Sequence, residues 1–362
     1  MSVKLFALSD FVGEKKPQLK PDLIYGALRQ GHVAILAGGS KSGKTWAAIQ
    51  LAIAAANSDI WFGRACSKSK VLFVDFETAP ASLIDRFDQV IDKLQRSGRD
   101  VSRDGIDVLS LRGVHAPQEE LFKTIENAVK QAQPQLTIID PIYRLTNGDE
   151  NNAVDVARQF AWLDYIAETY DTAILFTHHH SKGQQAGKGS LDRASGSGVY
   201  GRAPDASFDL IEVEISSEAK EQLQARGYKN IDGASGFRLE CVFRDFKSPP
   251  PMNGFFDYPV HVIDETGILQ KARPKAEARA YDVARSVRAS NRVNWSKCIS
   301  EAYKALSADN AKVTISEIAN WLQASEVGKG SEGTIRKELK KAGFETINGE
   351  VVPIKADGET TE

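Results

Sequence analysis

Between residues 33 and 213, short apolar runs alternate with longer stretches in which apolar positions recur every three to four residues. The runs at 33–37, 71–77, 136–140 and 173–177 are brief and mostly apolar, as strands buried on both faces must be. The stretches at 45–57, 81–94, 118–131 and 154–169 carry helical periodicity. Strand and helix in alternation predict an α/β fold around a mostly parallel sheet. Three more strand-like runs, 208–215, 237–243 and 259–263, follow without a helix between them and predict an antiparallel extension at one sheet edge. The segment 181–198 is rich in Gly, Ser and Lys, has no periodicity, and reads as a loop.

A second pattern begins after Arg292. Residues 294–306 are amphipathic. Thr314-Ile315-Ser316-Glu317 is a capping box that opens a helix over 315–324. A turn, Val327-Gly328-Lys329-Gly330, leads to Ser331 as N-cap of a helix over 332–342, ended by Gly343. Runs at 344–347 and 350–354 flank Asn348-Gly349, a strong hairpin signal. Three helices and a hairpin predict a small C-terminal winged helix-turn-helix domain. The chain thus divides into residues 1–270, a basic linker or helix at 271–292, and a domain at 293–356.

Composition narrows the setting. The 362 residues are enough for two or three domains, and 42% apolar with 26% charged residues exclude a wholly disordered chain. No run approaches the length of a spanning helix, and the start, MSVKLFALSDF, lacks the apolar core of a secretion signal. Cys66, Cys241 and Cys298 lie far apart, form no CxxC, and fit a reducing cytoplasm better than a disulfide framework or a zinc site. The net charge of −2 hides an asymmetry: residues 271–341 hold 15 Lys+Arg against 8 Asp+Glu. The C-terminal third is therefore basic, which favours an acidic partner.

The chemistry centres on Gly38-Gly39-Ser40-Lys41-Ser42-Gly43-Lys44-Thr45, a full GxxxxGK[ST] P-loop between a buried strand and a helix. Its glycines let successive N–H groups face phosphate oxygens, and the helix N-terminus adds a favourable dipole. Lys44 would reach the β- and γ-phosphates of ATP, and the Thr45 hydroxyl would ligate Mg²⁺. Asp140, at the tip of an apolar strand, supplies the second metal-holding group. Glu77, just past the run that starts at Val71, is the candidate for polarising the attacking water, with Asp75 as the alternative. His178, His179 and His180 suggest a metal at first sight, but alternate side chains of an extended chain face opposite ways. One of them touching the γ-phosphate fits that geometry better than zinc.

These features in this order resemble the RecA-like core, and more closely the RepA-type hexameric replicative helicases and related AAA-family ATPases of plasmids, phages and integrated elements. The matching stretches are VAILAGGSKSGKTWAAIQLA, VLFVDFETAPASLIDRF, LTIIDPIYRL, THHHSKG and LDRASGSGVYGRAPDA, within about residues 20–270. The resemblance implies that Lys44 and Thr45 are the Walker A pair, Asp140 the Walker B acid, Glu77 the water-polarising base and His179 the γ-phosphate sensor. It implies that Arg202 is an arginine finger reaching a neighbour's nucleotide; an ion pair with Asp205 or Asp209 is the competing reading. Arg244 and Lys247 stand where such hexamers carry further basic residues near the nucleotide. Lys182, Lys188 and Arg193, in the loop after the histidines, suit a nucleic-acid backbone. In the C-terminal domain Lys329, Thr334, Arg336, Lys337, Lys340 and Lys341 form the face expected to enter a DNA groove, unless that domain serves protein contacts.

The expectation is an ATP- and Mg²⁺-dependent hexameric DNA helicase or translocase that replicates a mobile element. It would act on single- and double-stranded DNA, with a replication initiator or primase as a possible partner and no membrane. The same residues also fit an ATP-switched origin-binding protein or helicase loader without unwinding activity, and a recombinase-like filament.

Overall fold

The computed structural model describes residues 7–13, 16–145, 153–180, 199–228, 231–275, 294–309, 312–325 and 331–354. It divides into two compact units, Met1–Arg279 and Ala280–Glu362.

The first unit is built on one nine-stranded sheet. Its strands in chain order are β1 (Val33–Gly38), β2 (Val71–Asp75), β3 (Ile106–Ser110), β4 (Leu136–Asp140), β5 (Ala173–His179), β6 (Ala206–Val213), β7 (Ser235–Phe243), β8 (Met252–Asp257) and β9 (Val260–Ile263). They lie in the order β9-β8-β7-β6-β1-β5-β4-β2-β3. From β6 to β3 every pairing is parallel, and β6 to β9 pair antiparallel. The fold class is therefore α/β with a mostly parallel sheet, consistent with a P-loop core.

Strand alternation sorts the side chains onto two faces. Ala34, Leu36, Phe73, Ile138 and Leu175 pack with helices α1 (Lys44–Asn57) and α2 (Pro80–Arg96) on one face. Val33, Ile35, Val74, Ile139 and Phe176 pack with α3 (Gln118–Ala132) and α4 (Ala153–Thr169) on the other. Buried on both sides, these strands need the continuous apolar runs the sequence shows. The parallel strands all end on the edge where the P-loop sits.

Several sequence expectations are corrected here. β2 stops at Asp75 instead of running to 77, because the Asp75 carboxylate accepts a hydrogen bond from Thr78 N at 2.7 Å and turns the chain into α2. β5 runs two residues further than expected, because His178 and His179 pair with Ala37 and Gly38 of β1. β3 was hidden by its half-exposed, mixed sequence IDVLS at the sheet edge. β8, sequence MNGFFD, carries poor strand formers, and Gly254 is required there: a Cβ would meet the Val262 carbonyl at 2.2 Å. A short helix α5 (Val199–Arg202) precedes β6. β6 and β7 are separated by a helix, α6 (Ser217–Ala225), capped by Ser216 and closing a satellite core of Ile215, Leu223, Ile231, Phe255 and Leu269.

The second unit contains α7 (Trp295–Asp309), α8 (Ile315–Ala324), α9 (Glu332–Glu338) and a hairpin of β10 (Phe344–Ile347) and β11 (Glu350–Pro353). Ile299, Ile318, Leu322, Ile335 and Val351 form its core. Thr314 and Glu317 make both bonds of the capping box. The helix expected over 332–342 ends at Glu338 and continues as a 3₁₀ turn, Lys340–Ala342, before Gly343 at φ +85°. Among the described residues no helix is long and apolar enough to cross a membrane.

Candidate nucleotide site

The P-loop joins β1 to α1. Gly43 takes φ +86°, a conformation that favours glycine, and a Cβ there would come within 3.0 Å of the His261 ring. The loop curls over an open cleft of about 660 Å³ at the carboxyl ends of the parallel strands. Ser40 to Trp46, Glu77, Arg86, Asp140, Thr177 and His179 line it.

Lys44 is the centre of the site. It is 7% exposed, and its Nζ donates to the carbonyls of Gly38 at 3.0 Å and Gly39 at 2.8 Å. It also donates to His179 Nδ1 at 3.0 Å, which places the neutral ring's proton on Nε2. Burial pulls the ammonium down to about 8, against the opposing pull of the Asp140 and Glu77 carboxylates.

Asp140 is buried at the tip of β4. Thr177 on β5 donates its hydroxyl to Asp140 Oδ1, and the Thr45 hydroxyl bonds the same carboxyl group. Burial holds this carboxyl above the usual carboxylate range, partly offset by Thr177, Thr45 and Lys44. Asp75 stands beside it in register on β2. It is fully buried, its Oδ1 has no partner among the described residues, and burial raises it to about 6. Glu77 instead stands at the cleft, half exposed, so of the two candidate bases Glu77 is the one that faces the space a phosphate would fill.

The three histidines diverge. His179 faces Lys44. His178 lies buried on the opposite face, its ring 4.1 Å from that of Tyr200, and burial lowers it to about 4. His180 Nε2 meets Asp209 Oδ1 at 2.5 Å. Among the described residues no cluster of His, Cys, Asp and Glu is arranged to hold a metal ion.

Arg202, Arg244 and Lys247 do not line this cleft. Arg202 ends α5, is exposed, and makes no ion pair among the described residues. Its expected partner Asp205 is engaged by Arg244 Nη1 at 2.6 Å, and Asp209 by His180. Arg244 also donates to the carbonyls of Arg202 and Ala203, so it braces the end of α5. Lys247 is exposed and does not line the cleft. Lys182, Lys188, Arg193 and Lys329 lie outside the described residues, as do the loop 181–198 and the turn 327–330. Arg336, Lys337, Lys340 and Lys341 are exposed and Thr334 half-buried on the second unit.

Sequence reading missed one wall. Trp46, Phe256 and Tyr258 form it, with ring centroids 5.1 Å apart for Trp46–Tyr258 and 6.5 Å for Trp46–Phe256. The Arg86 guanidinium lies 5.3 Å from the Trp46 ring centre. Trp46 directly follows the motif and could have been flagged; its partners come from the β8–β9 hairpin and carry no local signal.

An AAA domain family matches residues 3–185 of the chain, which is half of it. The chain belongs to the AAA domain family. Among solved structures, a KaiC-like protein from the hyperthermophilic archaeon Pyrococcus horikoshii OT3 is similar at 15% identity and a TM-score of 0.45, over 67% of this chain and 93% of its own. No curated protein matches the sequence. With the P-loop geometry, the family match makes this member a P-loop ATPase by family.

The buried Asp75 gives a pH signature. Its folded value of about 6 exceeds the ordinary 3.8, so the fold is penalised for its ionisation above pH 6 and relieved as pH falls toward 4. Asp75→Asn keeps an acceptor for Thr78 N and removes the charge. It is expected to stabilise the nucleotide-free protein by about 1–3 kcal/mol at pH 8, the gain shrinking toward pH 5. Thermal unfolding of both proteins across that range checks this; a gain that does not change with pH contradicts it.

Proposed function

We propose that the protein is an ATP-driven hexameric DNA helicase or translocase serving replication of a mobile element. The observation that carries the ATPase part is the convergence of Lys44, Thr45, Asp140, Glu77 and His179 on one cleft at the ends of β1, β2, β4 and β5. The residues present fit a magnesium-bound triphosphate. The Ser42 hydroxyl is buried in the P-loop without a partner among the described residues, and Lys44 spends its protons on loop carbonyls that phosphate oxygens can replace. Thr45 and Asp140 would hold the ion, which would neutralise charge on the β- and γ-phosphates when bound.

The chain's own residues do the rest. P-loop N–H groups and Lys44 fix the phosphates. Glu77 accepts the proton of the attacking water as its oxygen bonds the γ-phosphorus and the bond to the β-phosphate oxygen breaks, leaving ADP and phosphate. His179, already on Lys44, senses whether the γ-phosphate is present. The aromatic wall of Trp46, Phe256 and Tyr258 suits the flat base of the nucleotide. Arg202 completes a neighbour's site in trans, a role that its exposure and the prior engagement of Asp205 and Asp209 leave open to it.

For the second unit the reading is a winged helix-turn-helix that contacts DNA through the basic side chains of α9 and the turn after it. Those exposed lysines and Arg336 also favour a second reading, an ATP-switched origin-binding protein or loader; strand separation by the purified protein distinguishes them. Lys44→Ala is expected to abolish ATP turnover, and normal turnover would overturn the site. Arg202→Ala is expected to lose turnover as well and to regain part of it when mixed with Glu77→Ala, because a mixed interface in one of its two orders then joins an intact Glu77 to an intact Arg202. Absence of complementation contradicts the trans role.

A further inference from the structure

Glu77 is not free in this structure. The Tyr143 hydroxyl donates to Glu77 Oε1, and Arg144 Nε lies 4.0 Å from the same oxygen. The Arg144 guanidinium also lies 5.4 Å from the Tyr143 ring centre, so the two side chains brace each other. A general base must present a lone pair to the water it activates. Here Oε1 already accepts from a phenol and faces a cation, which fixes the direction in which the carboxylate points. Burial and the adjacent Glu77 carboxylate both raise the Tyr143 phenol, so it stays protonated and remains a donor.

The latch is part of the sheet edge and not of a loose side chain. Tyr143 and Arg144 occupy the 3₁₀ turn Ile142–Leu145, one residue (Pro141) beyond Asp140. Ile142 and Leu145 are buried. Gln118 Nε2 donates to the Leu145 carbonyl at 2.6 Å, and Gln159 Nε2 to that of Ile142 at 3.1 Å. Gln159 in turn accepts from the Tyr200 hydroxyl at 2.7 Å, and Tyr200 shares α5 with Arg202. A buried chain of hydrogen bonds therefore joins the turn that holds Glu77 to the helix that carries the exposed arginine.

We infer that Tyr143, with Arg144, is a positioning residue that holds Glu77 in a resting state, so that hydrolysis waits on displacement of the turn following Asp140. The inference rests on the reading of Glu77 as the base. Its test is steady-state turnover of the 362-residue chain without DNA, with binding of a fluorescent ATP analogue measured alongside. Tyr143→Phe keeps the ring and removes the donor. It is expected to raise kcat about three- to tenfold with KM little changed, the scale set by the net worth of one ordinary intramolecular hydrogen bond. Glu77→Gln combined with Tyr143→Phe must be as inactive as Glu77→Gln alone, which shows that the gain passes through Glu77. Unchanged or reduced kcat in Tyr143→Phe, with analogue binding intact, overturns the latch while leaving the base in place. Should Tyr143→Phe fail to bind the analogue, Arg144→Gln at the exposed neighbour decides: a smaller rise supports the latch and no rise overturns it. Normal turnover in Glu77→Gln removes the base itself, and the latch with it.

Discussion

The structure turns on one buried cation. Lys44 sits almost out of water with its three ammonium protons spent on two loop carbonyls and an imidazole. Burial of an ammonium costs several kcal/mol unless partners repay it. Neutral acceptors repay it only in part, which is why the group is pulled down to about 8 despite the nearby carboxylates. The arrangement is incomplete without an anion. In the proposed function a polyphosphate supplies one, and its arrival would rearrange the bonds that Lys44 now makes, including the one to His179. On that reading, nucleotide binding would be communicated to β5 by the same atom that recognises it.

The sheet makes this possible. β1, β2, β4 and β5 are parallel and end together, so Gly38, Asp75, Asp140 and His179 arrive at one edge by register alone. Two carboxyls, Asp75 and Asp140, lie side by side in a buried setting, and burial holds both above the usual range. A site that gathers a buried lysine and two buried acids is costly to the empty fold and is relieved by a bound, charged ligand. Glu77 differs from its neighbours because the strand stops two residues before it. The Asp75–Thr78 bond turns the chain there, and the carboxylate is left at the cleft.

What the sequence reveals and what it hides follow from range. The P-loop, the Asp140 strand and the central helices are local: each is specified by a run of adjacent residues with a fixed period. The capping box at Thr314 and the Asn348-Gly349 turn are local in the same sense. The strand 106–110 escaped because it lies at the sheet edge with residues of both faces partly exposed, which dilutes the apolar pattern. Met252–Asp257 escaped because its place in the sheet depends on Gly254 fitting under Val262, a contact with no periodic trace. The aromatic wall joins Trp46 to Tyr258, and the latch joins Glu77 to Tyr143; such meetings exist only once the sheet has formed. Arg244, which the resemblance places near a nucleotide, binds Asp205 within its own chain, a pairing across 39 residues that likewise leaves no local trace.

The buried ammonium offers the most direct test. Nucleotide binding at pH 8, measured calorimetrically in buffers of different ionisation enthalpy, reports protons taken up by the complex. With Lys44 near 8 in the free protein and fully protonated against the triphosphate, about half a proton should be taken up per nucleotide bound. That uptake should diminish at pH 7 and vanish in Lys44→Met if binding survives. An enthalpy indifferent to the buffer at pH 8 would mean that Lys44 is an ordinary charged side chain, and the account of a site completed by its anion would be wrong.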